Sequence, residues 1–138
     1  MPQHPATLSQ LFVEAVEKLD RPNALQTKIG GAYQPISHRT IADRVRHVAF
    51  GLRALAVSQD SRVAILSENR PEWAIVDYAC LMGGMADVPI YPTLPAEQIA
   101  YILRDSGAVA IFVSTSENLR FSSLSRMCVL SGLSSPAG

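Results

Sequence analysis

Three short apolar runs constrain this chain more than any other feature: RVAIL at residues 62–66, DVPIY at 87–91 and AVAIFV at 108–113. None alternates apolar with polar residues. A strand buried on both faces reads this way, and sheets that bury both faces are parallel sheets covered by helices. Two helical segments separate the runs, from about Arg70 to Met82 and from Pro95 to Arg104. Strand–helix–strand–helix–strand therefore predicts an α/β unit, a parallel sheet with right-handed crossovers. The second of these helices is well marked. Pro95 suits the first turn, Glu97 favours the positive end of the helix dipole, and Ile99, Ile102 and Leu103 form the buried stripe. Gly107 supplies a left-handed stop.

Upstream of the sheet the pattern differs. In TLSQLFVEAVEKL, residues 7–19, Leu8, Leu11, Phe12, Ala15, Val16 and Leu19 fall at helical spacing. Thr7 or Ser9 is the cap, and Asp20 to Asn23 stop the helix. The next stretch, ALQTKIGGAYQPIS, predicts two strands around Gly30-Gly31, a pair suited to the positive φ angles of a tight hairpin. Ser37 then caps an amphipathic helix with Ile41, Val45, Val48, Ala49, Leu52 and Leu55 on its apolar side.

A length of 138 residues allows one domain at most, and 48% apolar residues allow a real core. The 12 basic and 12 acidic side chains balance, so there is no basic stripe of the kind nucleic acid selects. MPQHPATLSQ lacks the basic start and apolar core of a secretory leader. Residues 73–91 are broken by Asp77, Gly83, Gly84, Asp87 and Pro89, so no transmembrane segment is expected there. These features make a soluble, cytoplasmic chain the expectation. Cys80 and Cys128 have no partner motif, and Cys80 reads as a buried free thiol.

Candidate chemistry gathers at LSENRPEW, residues 66–73. Asn69 and Glu72 have the spacing of a capping box, and Pro71 fits an early helical position. The competing reading is an anion site, because a helix starts here beyond the carboxyl end of a parallel strand, with Arg70 beside it. Glu68 and Glu72 would repel an anion, and no glycine lets backbone approach a phosphate. Gly83-Gly84 read as a helix stop. No GxGxxG or GxxxxGK[ST] phosphate loop and no GxSxG elbow occurs. His4, His38 and His47 lack metal-ligand spacing. LSGLSSPAG at the end has phosphate-loop residue types but no lysine. No position is assigned a catalytic, cofactor-binding or metal-ligating role.

The segment from Ser61 to Ser114, with VAILSENRPEW, VPIYPTLPAEQIAYIL and DSGAVAIFVS as its most telling pieces, resembles the early part of the AMP-forming acyl-CoA synthetases of the adenylate-forming superfamily. The likeness runs from about Thr7 to Ser116. NRPEW together with IYPTLPAEQ points to the bacterial long-chain fatty acid–CoA ligase branch. The resemblance implies a two-step reaction in which ATP and a fatty acid give an acyl-adenylate and pyrophosphate, and CoA then takes the acyl group and releases AMP. ATP, Mg and CoA are thus implied for the full-length family, with Mg offsetting phosphate charge. The family's phosphate loop and its adenylation lysine have no counterpart here, so no catalytic residue is carried over. The family's usual Gly-Asp before RVAI is Asp60-Ser61 here, so the turn must form without glycine.

The sequence thus predicts an N-terminal portion of an AMP-binding (adenylation) domain over residues 1–118: helices, a small β-hairpin and a β-α-β-α-β unit, incomplete as a domain and inactive alone. The rest of the ligase would complete the fold, and peripheral membrane association is left open. Residues 119–138 are serine-rich and without sustained period; they read as a disordered or aberrant tail, of the kind a frameshift or readthrough leaves. Open sheet edges would make such a chain poorly soluble or partly molten. Two alternatives remain at this point: a short non-catalytic scaffold or binding protein of α/β fold, and a small flavodoxin-like nucleotide-binding domain.

Overall fold

The computed structural model describes residues 5–115 and 128–131. Helix α1 (Leu8–Leu19) leads to an antiparallel hairpin, β1 (Leu25–Ile29) and β2 (Ala32–Ile36), and then to α2 (His38–Ala54). The alternating unit follows: β3 (Arg62–Leu66), α3 (Pro71–Met82), β4 (Ala86–Ile90), α4 (Ala96–Ser106) and β5 (Ala110–Val113), with a further strand β6 (Cys128–Ser131).

The local signals act where the sequence places them. Thr7 Oγ1 accepts from the Gln10 N–H at 3.1 Å, and Ser37 Oγ from the Thr40 N–H at 3.1 Å. Gly30 and Gly31 both take positive φ, 59° and 85°, which turns the chain back on itself in two residues. Asp60 occupies the position of the missing glycine with φ 66°, and its N–H is held by Gly84 O at 2.9 Å. Pro95 departs slightly from expectation. It is the N-cap of α4, extended at φ −58° and ψ 148°, and its carbonyl accepts from the N–H of Gln98 and Ile99.

All four strands of the larger sheet are parallel, in the order β4-β3-β5-β6. The chain moves outward from β3 to β4, then crosses back to β5 on the other side of β3. This reversal is the mark of a doubly wound sheet. The sequence reading closes the sheet at three strands; the structure adds β6 beside β5, inside the segment expected to be without regular structure. A four-residue strand is too short to show a period, and what makes it a strand is the open backbone edge of β5. The rest of residues 119–138 lies outside the described residues. Among the described residues β4 is the other edge, where Pro89 is tolerated because an edge strand has one ladder only.

Alternation along the strands divides the core. Val63, Ile65, Ala110 and Phe112 point to one face, against Val76 and Cys80 of α3 and Leu52 of α2. Ala64, Leu66, Ile111 and Val113 point to the other, against Ile99 and Leu103 of α4. Each buried aliphatic side chain of this kind contributes roughly 1.5–3 kcal/mol. A third cluster joins Ile75 and Ala79 of α3 to Phe12, Ile36, Ile41 and Val45. Phe12 also stacks on Tyr78 with ring centroids 4.3 Å apart. Helix α3 is therefore buried on two sides, by the sheet and by the α1–α2 layer.

Candidate active-site wall

In doubly wound sheets the ligand crevice opens beyond the carboxyl ends of the strands. Here a cavity of about 600 Å³ lies there, just past β3 and β4. Its near wall is Ser67, Glu68 and Asn69, with Trp73 from the first turn of α3. Its far wall is the end of β4 and the loop after it, Pro89 to Thr93. Both quoted stretches, LSENRPEW and VPIYPT, thus meet at one place although the fourteen residues 74–87 separate them in the chain.

The near wall is built differently from the sequence reading. The Asn69–Glu72 capping box does not form. Arg70 is the N-cap of α3, extended at φ −148° and ψ 160°, with no side-chain cap bond, and Pro71 takes the first helical position. The residue before a proline is driven out of the helical region, so the helix starts one residue later than a box at Asn69 needs. Asn69 is exposed. Glu72 Oε2 instead accepts from Arg70 Nε at 2.9 Å, with the glutamate side chain 20% exposed.

Glu68 is held ionised. The Ser114 hydroxyl is the main cause, lowering its pKa, and its own backbone N–H and the Arg70 charge act in the same direction. Ser114 follows β5, and its N–H donates to Leu66 O at 3.2 Å. The Glu68–Ser114 contact therefore links the carboxyl ends of the two central strands.

This arrangement does not fit the phosphates of ATP or CoA. Pro71 has no N–H to offer at the start of α3, the Trp73 N–H is taken by Arg70 O, and Arg70 is engaged by Glu72. Glu68 and Glu72 add negative charge. The anion-site reading is therefore not supported at this helix start. Among the described residues no three His, Cys, Asp or Glu side chains converge as a metal site would require. His38 Nδ1 accepts from the Arg21 N–H, His47 Nδ1 meets Asp43 O one helical turn away, and His4 lies outside the described residues. Cys80 is fully buried, and burial first, then Asp87 and Asp77, pushes its thiol up to about 12. What the wall offers is an apolar slot between Trp73 and the proline-containing loop, edged by one carboxylate and an amide.

A family model described as AMP-binding enzyme matches residues 12–132. The chain belongs to that family. The match continues past Leu119, where the sequence reading ended the likeness, and takes in β6. The chain is 42% identical over 90 residues to the long-chain-fatty-acid–CoA ligase FadD15 of Mycobacterium bovis, a match covering 65% of this chain and 15% of that protein. It is 30% identical over 109 residues to the uncharacterized protein Rv1549 of Mycobacterium tuberculosis, covering 79% of this chain and 61% of that one. In structure it is similar to the fatty acid AMP ligase of Legionella pneumophila, with a TM-score of 0.77 over 91% of this chain and 23% of that one at 14% identity, a likeness of fold. The chain thus spans about 15% of the length of the ligase it resembles in sequence. The resemblance to adenylate-forming acyl-CoA synthetases stands on these matches, and the architecture is that of an adenylate-forming domain. Among the described residues no helix is long and apolar enough to cross a membrane.

Proposed function

We propose that this chain is the N-terminal portion of the adenylation domain of a long-chain fatty acid–CoA ligase. The parent reaction joins ATP, a fatty acid and CoA to give acyl-CoA, AMP and pyrophosphate through an acyl-adenylate. One observation carries the reading: a family match across residues 12–132 coincides with a crevice wall that has no place for a phosphate. In this reading the residues from Leu66 to Trp73 and from Val88 to Thr93 are scaffold that shapes one side of the substrate path. The apolar slot at Trp73 suits an acyl or other apolar group better than an anion. The groups that hold ATP, Mg and CoA, and the lysine that serves adenylation, are supplied by sequence outside these 138 residues.

Pyrophosphate exchange into ATP, assayed with a long-chain fatty acid, tests this directly. The chain alone gives exchange at background. A chimera in which residues 12–114 replace the matching segment of FadD15 gives exchange above background. Clear turnover by the chain alone, or a folded chimera without activity, overturns the proposal.

A further inference from the structure

A groove of about 480 Å³ lies between α1, α2 and the end of α3. It shares no lining residue with the cavity past β3 and β4. Its volume falls in the range of small-molecule pockets. Its walls are largely apolar, with Phe12 and Val16 from α1, Ala49 from α2 and Met82 from α3. Phe12 is a fixed part of the wall, because its ring stacks on Tyr78. Phe50 and Met82, both in the lining, are still 63% and 45% exposed. An aliphatic chain laid in the groove removes that apolar surface from water.

The charged part of the lining follows from the register of α2. Arg46, Phe50 and Arg53 stand four and three residues apart, so they share one face of the helix. The two arginines are rooted about 10 Å apart along the axis, with Phe50 between them. Arg46 also meets Asp43 at 3.5 Å, with the two side chains 65% and 64% exposed. A contact that long and that exposed holds a charge weakly. Across the groove α1 contributes one carboxylate, Glu17. The lining therefore carries one positive charge in excess.

We propose that this groove binds a long-chain carboxylate, with its aliphatic chain along Phe12, Val16, Phe50 and Met82 and its head on the guanidiniums of Arg46 and Arg53. Guanidinium presents a planar fork of donors that matches a carboxylate. A single excess charge matches a singly charged head better than a doubly charged phosphate ester. The inference rests on the lining of the groove and not on the reading of the crevice wall. Pyrophosphate exchange reports on that wall, so failure of either reading shows separately.

Isothermal titration of the full chain with dodecanoate, with the 13Cε methyl signal of Met82 followed by NMR, tests the site. Dodecanoate binds once per chain and moves the Met82 signal. Acetate has the head alone and dodecyltrimethylammonium has the opposite charge; each binds about tenfold or more weaker. Arg46→Gln combined with Arg53→Gln weakens dodecanoate by about tenfold or more and does not weaken the ammonium. Both arginines are exposed, so the double variant keeps the fold. Equal affinity for carboxylate and ammonium, or dodecanoate binding unchanged in the double variant, overturns the proposal. An unmoved Met82 signal overturns the location. A dimer in sedimentation that the double variant dissolves makes a second copy the occupant and overturns it too. So does a chimera carrying residues 12–114 in FadD15 in which dodecanoate leaves Met82 unmoved, because the rest of the ligase then covers the groove.

Discussion

The two crossover helices of the parallel sheet do the same topological work and have opposite surroundings. Helix α4 packs one stripe, Ile99 and Leu103, on the sheet and leaves Tyr101 61% exposed. Helix α3 is covered twice. Val76 and Cys80 face the sheet, while Ile75 and Ala79 face the α1–α2 layer. Under α4 the sheet packs Ala64, Leu66, Ile111 and Val113, with Arg62 reaching Ser106 O at the rim, whereas the α3 side also carries the Cys80 thiol and the half-buried Asp77. A helix enclosed on two sides has little solvent to receive its polar groups, so they must pair with one another or stay neutral. Perturbed titration follows from that enclosure.

The largest effect that separates the helices is chemical. In a Cys128→Ser background, alkylation of Cys80 at pH 8 is slower in the folded chain than in urea by on the order of 1000-fold or more, because the thiol is buried and its pKa is pushed up to about 12. With Cys80→Ala as a further background, Tyr101→Cys on α4 reacts at nearly the unfolded rate. Equal rates at the two positions would remove the contrast. In stability, Ile75→Ala costs about 2–5 kcal/mol by denaturant unfolding, since Ile75 is 2% exposed between two layers, and Tyr101→Ala stays within about 0.5 kcal/mol.

The helix ends come next. Gly84 after α3 has φ 70°, and a Cβ there would lie 2.9 Å from Gln59 Cγ. Gly107 after α4 has φ 64°, and its Cβ would lie 3.2 Å from the Arg62 guanidinium. Gly84→Ala is expected to cost about 1–3 kcal/mol and Gly107→Ala about 1 kcal/mol, both through the left-handed backbone and the first also through contact. A reversed order in thermal melts would show that the Gln59 side chain yields more easily than the Arg62 guanidinium. The smallest effects concern helix starts. Ser37→Ala lowers stability by about 1 kcal/mol, the usual value of a working cap, while Asn69→Ala changes it by less than about 0.5 kcal/mol. A full capping loss at Asn69 would restore the box that the structure does not show.

Much of this molecule was legible without coordinates. The continuous runs at 62–66, 87–91 and 108–113 gave a parallel sheet, and Thr7, Ser37, Gly30-Gly31 and Gly107 marked ends and turns within a residue or so. These features are local: a hydroxyl reaches three residues on, a glycine sets its own φ, and a strand records its burial in its own side chains. The start of α3 was misread because two local rules competed there. The steric demand of Pro71 on Arg70 outweighed the capping preference of Asn69. Each cavity wall is a stretch that carries the family resemblance, but nothing in their spacing says that they face each other.

The sequence by itself determined the class of fold, the order of its described elements through β5, and the burial of Cys80, because short-range sterics and hydrophobic pattern suffice for each. Only the tertiary structure decided that Cys128–Ser131 becomes a strand, that Glu68 meets Ser114, and that burial, with Asp87 near by, raises the pKa of Asp77. Each of those depends on a partner brought close by the sheet order β4-β3-β5-β6, and contact across strands leaves no period in the chain.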